Sequence, residues 1–173
     1  SGGGSSSGRG GGFVRGLAST IKYFTTAEPE AAVCAAAAKG KTGALLDALQ
    51  HVNDVNDCVN RAGLTPLHVA VNHKRRLCVQ LLLDRGADVN SLGNVQYTPL
   101  HAACQHGHVD VIRVLLEHGA DARARGGQPH FSTPLHWAVV FAQRRAAEAL
   151  CEHYAEQVLS TAATAAAAVA VVD

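Results

Sequence analysis

Ten histidines and five cysteines are the side chains best suited to chemistry in this 173-residue chain. His101, Cys104, His106 and His108 crowd into one short stretch, a grouping that could suit a metal ion. A zinc site needs four Cys or His ligands converging tetrahedrally, often as paired short spacings. No Cys-x-x-Cys occurs, so no metal is expected. Gly40-Lys41-Thr42 matches the end of a phosphate-binding loop. The first glycine of that loop, however, would fall on Ala35, inside an alanine run with no strand before it, so no nucleotide cofactor is expected. Arg9-Gly10-Gly11-Gly12-Phe13 and Arg15-Gly16 form a fragment of an RGG-type tail, but two arginines neutralise few phosphates. Lys74-Arg75-Arg76 and Arg144-Arg145 read as a solvated edge, with contact to an acidic partner as the alternative. No constellation of nucleophile, base and orienting group stands out, so no catalytic residue is assigned and the chain is read as a non-enzyme.

The elements that must position these residues emerge from internal repetition. Thr65-Pro66-Leu67-His68-Val69-Ala70 recurs as Thr98-Pro99-Leu100-His101-Ala102-Ala103 and as Thr133-Pro134-Leu135-His136-Trp137-Ala138, at spacings of 33 and 35. Gly86-Ala87-Asp88-Val89-Asn90 is matched 33 residues later by Gly119-Ala120-Asp121-Ala122-Arg123. Leu81-Leu82-Leu83 and Val114-Leu115-Leu116 lie between these landmarks, in register. Asp54-Val55-Asn56, 34 residues before Asp88-Val89-Asn90, extends the phase backwards. A fixed period of this length is the mark of stacked units, none of which can bury its apolar face alone.

Local physics supports helix pairs. Thr65, Thr98 and Thr133 are good helix N-caps. The prolines that follow sit at the first helical position, where a missing N–H costs nothing. In the unit around residue 100, a first helix is expected from Pro99 to about His106, closed by Gly107. A second is expected from about Val109 to His118, with Val111, Ile112, Leu115 and Leu116 at helical spacing. Pro29–Lys39 and Thr42–His51 would be the helices of an atypical first unit. Lys74 and Gln96 stand where other units carry a turn glycine, which puts the local turn geometry in question.

The pattern resembles the ankyrin repeat family, clearly over about Asn60 to Tyr154. The resemblance implies an all-α fold: an ankyrin repeat solenoid of stacked helix–turn–helix units with β-hairpin-like finger turns. It also implies structural hydrogen bonds for His68, His101 and His136. The expected organisation is a flexible Gly/Ser-rich segment 1–27, a repeat domain 28–157 and an Ala-rich extension 158–173. The repeat domain divides into a cap 28–59 and units 60–92, 93–125 and 126–157.

Composition sets outer limits. Eight of the 17 glycines lie between Gly2 and Gly16, leaving an ordinary domain's worth of chain to fold. Apolar residues make up 47%, too many for a wholly disordered chain, while aromatics are only 5%. Lys+Arg and Asp+Glu balance at 15 against 14, which disfavours a nucleic-acid partner. The longest apolar run, Ala162–Val172, is too short to span a bilayer, so no membrane insertion is expected. Five scattered cysteines point to reduced thiols and an intracellular location, cytoplasmic or nuclear. The absence of methionine fits either a processed start ahead of Ser1 or a segment of a longer protein.

The family resemblance implies that partners bind the concave surface of finger turns and first helices. Carried over by position, the finger candidates are Arg61, Leu64, Asn94, Tyr97, His130 and Phe131. The first-helix candidates are Asn72, His73, Gln105, His106 and Phe141. The framework residues repeat at these places while the candidates vary. The expected partner is another protein, with no small-molecule substrate, and the chain is expected to be a monomer. Two other functions fit the sequence: a targeting or substrate-recruiting arm of a larger enzyme, channel or ubiquitin-ligase adaptor, and weak nucleic-acid or anion binding through the basic corners and the RGG-like tail. Tyr97 and Phe131 are the leading aromatic anchors, and their replacement by alanine is expected to leave folding nearly intact.

Overall fold

The structure, a computed structural model, describes residues 29–127 and 132–169, with backbone alone for 163–169. The segment 1–27 and the finger residues His130 and Phe131 lie outside the described residues.

Eight helices are described: α1 (Pro29–Lys39), α2 (Thr42–Leu49), α3 (Pro66–Asn72), α4 (Arg76–Asp84), α5 (Pro99–His106), α6 (Val109–Glu117), α7 (Pro134–Val140) and α8 (Arg144–Val169). They form four pairs, each joined by a corner of two or three residues. The first helices α1, α3, α5 and α7 pack in sequence along one row, and α2, α4, α6 and α8 along a second. Regular strands are absent among the described residues, where one antiparallel bridge, Gly126 with Ser132, marks a finger turn.

The first helices α3, α5 and α7 begin at the expected threonine–proline step, with Thr65, Thr98 and Thr133 in extended backbone and proline in the first turn. The core consists of layers of Leu, Val, Ile and Ala: Leu45, Leu67, Leu82, Leu100, Ile112, Leu115 and Leu150 are fully buried. Small residues such as Ala70, Ala103 and Ala138, at the same place in three units, let neighbouring helices approach closely.

Two networks link one unit to the next. In the first, the Thr65 hydroxyl donates to His68 Nδ1 at 2.8 Å, and His68 Nε2–H donates to the Tyr97 carbonyl at 2.8 Å. One unit on, Thr98 and His101 repeat the bond at 2.8 Å, and His101 Nε2–H reaches the Ser132 carbonyl at 2.8 Å. The structural role implied for these two histidines is therefore met by geometry. The second network runs along the fingers. The Asn56 side chain accepts from the Asp88 amide at 2.7 Å and donates to the Gly86 carbonyl at 3.2 Å. Asn90 does the same for Asp121 at 2.8 Å and Gly119 at 3.3 Å.

The turns with substituted glycines keep their shape. Lys74 (φ 54°), Gln96 (φ 62°) and Ala142 (φ 54°) all adopt the left-handed conformation. That conformation costs a non-glycine residue about 1–2 kcal/mol. Gln96→Gly is therefore expected to raise the unfolding free energy by about 0.5–1 kcal/mol, after subtracting the extra entropy of glycine in the unfolded chain. A urea titration of the two proteins checks this, and an unchanged or lowered midpoint contradicts it.

The last pair departs from the others. Gly86 and Gly119 end second helices with φ of 82° and 84°. The corresponding position is Tyr154, and α8 continues without a break through the expected boundary at 157/158 to Val169. The Tyr154 hydroxyl donates to the Ala122 carbonyl at 2.6 Å, and Arg123 lies 5.9 Å from its ring centre. These contacts hold the helix against the preceding finger where a turn would otherwise begin.

Candidate partner-binding surface

The first-helix candidates converge because they share one register. His73, His106 and Phe141 stand eight residues after Thr65, Thr98 and Thr133, at the ends of α3, α5 and α7. All three are exposed, Phe141 at 44%. Asn72 and Gln105, one position earlier, are half-buried. The Asn72 side chain lies beside the Tyr97 phenol, and the His108 ring lies beside the Asn72 carbonyl.

Aromatic rings connect this row to the fingers. His68 meets Tyr97 edge-on at 5.5 Å between centroids, Tyr97 meets Trp137 at 5.3 Å, and Trp137 meets Phe141 at 6.0 Å. His101 packs on Trp137 at 5.3 Å. The strip passes from the buried stacking histidines to the exposed Phe141 ring. Such offset and edge-on pairs each add about 0.5–1.5 kcal/mol beyond burial.

Among the finger candidates, Arg61 and Asn94 are exposed, whereas Leu64 is half-buried against the core. The Asn94 amide donates to the Gly63 carbonyl at 2.9 Å, which ties adjacent fingers together. Tyr97 is also half-buried against the core, and burial pushes its phenol above the usual range while the Asn72 contact opposes this. Tyr97→Ala would therefore remove packing as well as any binding contact, contrary to the expectation that folding would be nearly untouched. Trp137, absent from the sequence-derived candidates, is the centre of the aromatic strip. Its signal lay within the repeated hexapeptide, at a position filled by Val69 and Ala102 in the other units.

Among the described residues, no group of three or more His, Cys, Asp or Glu side chains could hold a metal ion. Burial pushes the Cys104 thiol up to about 12 and those of Cys34 and Cys58 up to about 11, so none of the three is a thiolate at neutral pH. His106 and His108 stack at 5.5 Å beside Gly107 rather than converging on a shared point. No described helix is long and apolar enough to cross a membrane.

The family model described as Ankyrin repeats (3 copies) matches residues 13–93, 33–126 and 92–161. A search of the curated proteins finds no match.

Proposed function

The chain belongs to the ankyrin repeat family, and from that premise we propose that it is a non-catalytic module that captures another protein on the surface formed by its fingers and first helices. The observation that carries this reading is the aromatic strip ending at exposed Phe141, in line with His73 and His106. These three side chains stand on a framework whose internal hydrogen bonds and packing are already satisfied. Phe141 touches Trp137 and His106 stacks on His108, yet each leaves much of its surface open to a partner. A large ring on a rigid, pre-ordered row loses little entropy on contact, and aromatic residues dominate interface hot spots. Arg61, Asn94 and the half-buried Asn72, Gln105, Leu64 and Tyr97 would border that contact, as would His130 and Phe131 on the inserted finger. The four buried free thiols, Cys34, Cys58, Cys78 and Cys104, support an intracellular setting.

The test is affinity capture followed by mass spectrometry, with wild type compared with His106→Ala/Phe141→Ala. Both side chains are exposed, so the variant should unfold within about 1.5 kcal/mol of wild type, the most that the lost Trp137–Phe141 ring pair adds. Captured partner should fall by about tenfold or more, equivalent to about 1.4 kcal/mol at the interface. An identical captured set in undiminished amount would rule out this surface.

A further inference from the structure

The corners between paired helices carry a segregated charge. Segments 39–41, 73–76, 106–108 and 142–145 contain seven of the fifteen Lys and Arg residues, three histidines and no acid. Lys39, Lys41, Lys74, Arg75, Arg76, Arg144 and Arg145 are all exposed. Among the described residues only Arg144 of these seven is in an ion pair, with Glu148 at 2.8 Å. The chain as a whole carries a formal charge of only +1, so this edge is invisible in the total.

The four corners are in contact. Arg75 lies across Gly40, and its Nε–H donates to the Ala38 carbonyl at 3.1 Å, joining the first corner to the second. The His108 ring lies beside the Asn72 carbonyl and feels the charge of Lys74, joining the second to the third. The Gln143 side chain lies against Gly107, joining the third to the fourth. Lys and Arg therefore mark the first, second and fourth corners of one connected edge, and the third corner between them carries His106 and His108. The edge also adjoins the proposed partner surface, since His73 and His106 open two of these segments and Phe141 immediately precedes a third. Leu77 and Val140, exposed at 70% and 77%, flank it with apolar contacts.

We propose that this edge binds an extended acidic segment of a partner protein, with carboxylates recurring every third residue. Packed helices stand about 8–10 Å apart, and three residues of extended chain span about 10 Å. An extended peptide with that period places an acid at every corner. A protein segment fits better than RNA, because the nearby rings Tyr97 and Trp137 are packed on one another and Phe141 alone of the strip is exposed for base stacking. It fits better than a membrane because the cations form a narrow line instead of a broad face. This assignment rests on the reading of the chain as a protein-binding module and specifies the chemistry of its partner.

The probe is a fluorescent peptide of about 12 residues, Glu-Glu-Ser repeated, titrated by anisotropy at about 0.05 M salt. A peptide of the same composition with its glutamates in one block is titrated beside it. The periodic peptide should bind at least about fivefold more tightly, and its binding should weaken steeply with added salt. Lys74→Glu/Arg76→Glu and, separately, Lys41→Glu/Arg145→Glu should each lose about tenfold or more in affinity. Arg85→Glu/Arg125→Glu makes the same charge change away from the edge and should keep most of the binding. The assignment is overturned by any of four results: no binding at low salt, equal loss in the Arg85/Arg125 pair, no preference for the periodic peptide, or tighter edge-dependent binding to phosphatidylserine vesicles or poly(U) RNA. Because the peptide titration needs no natural partner, its failure is separable from unchanged capture by His106→Ala/Phe141→Ala.

Discussion

Replacing His101 with alanine is expected to lower the unfolding free energy by about 3 kcal/mol, while replacing His136 should cost under about 0.5 kcal/mol. The two residues occupy the same position in the repeated Thr-Pro-Leu-His motif, so the contrast isolates what stacking adds. His101 is fully buried; its ring accepts from the Thr98 hydroxyl and donates to the Ser132 carbonyl. Alanine there leaves a cavity between two units and removes a bond that joins them. His136 keeps the local bond to Thr133 at 2.7 Å but is exposed, and its Nε2 meets no acceptor among the described residues. Urea titrations followed by circular dichroism measure both variants. Equal losses would mean that the histidine acts mainly as a helix cap rather than as a tie between units.

Acid should unfold the stack through the same histidines. Burial lowers the pKa of both His68 and His101 from the ordinary value of 6.5, while bonds to the Tyr97 and Ser132 carbonyls partly oppose the shift. The folded protein therefore resists protonation at these rings, and the unfolded chain does not. Above about pH 6.5 both states hold neutral imidazole, and the stability is fully present. As pH falls below that value the unfolded state takes up protons first, and stability declines until the folded pKa is passed. Each histidine contributes at most about 1.4 kcal/mol per pH unit within this window. The urea midpoint should be level between about pH 8 and 7 and fall clearly by about pH 5. A midpoint that stays level down to about pH 5 would contradict the neutral buried pair.

Much of this fold can be read along the chain because repetition writes each contact more than once. The Thr-Pro steps locate the starts of α3, α5 and α7, and the Gly-Ala-Asp landmark locates the ends of α4 and α6. The binding surface is less legible. Trp137 sits inside a hexapeptide that reads as framework, and only the folded neighbours Tyr97 and Phe141 reveal it as the middle of an aromatic strip. Tyr97 reads as a free anchor from its position, yet packing against Trp137 and Asn72 half-buries it. The basic corners appear as three separate short runs, at Lys39/Lys41, Lys74–Arg76 and Arg144–Arg145, and become one edge only when the units stack. Their continuity depends on Arg75, His108 and Gln143 reaching across, which residue spacing does not show.

Tyr154 gives the last pair a different mechanical character. Where glycine reverses the chain after α4 and α6, the tyrosine is clamped to the preceding finger and the helix runs on. From Tyr154 to Val169 it advances 15 residues, about 22 Å, through a sequence rich in alanine, the strongest helix former. Val158 and Leu159 on this stretch are exposed at 60% and 70%, so it projects from the stack instead of lying across it. A body joined to its tip would be carried as on a strut, its bearing fixed by the clamp at Tyr154. Buried Ala146, Ala149 and Leu150 anchor the same unbroken helix, so the strut and the last pair turn as one piece.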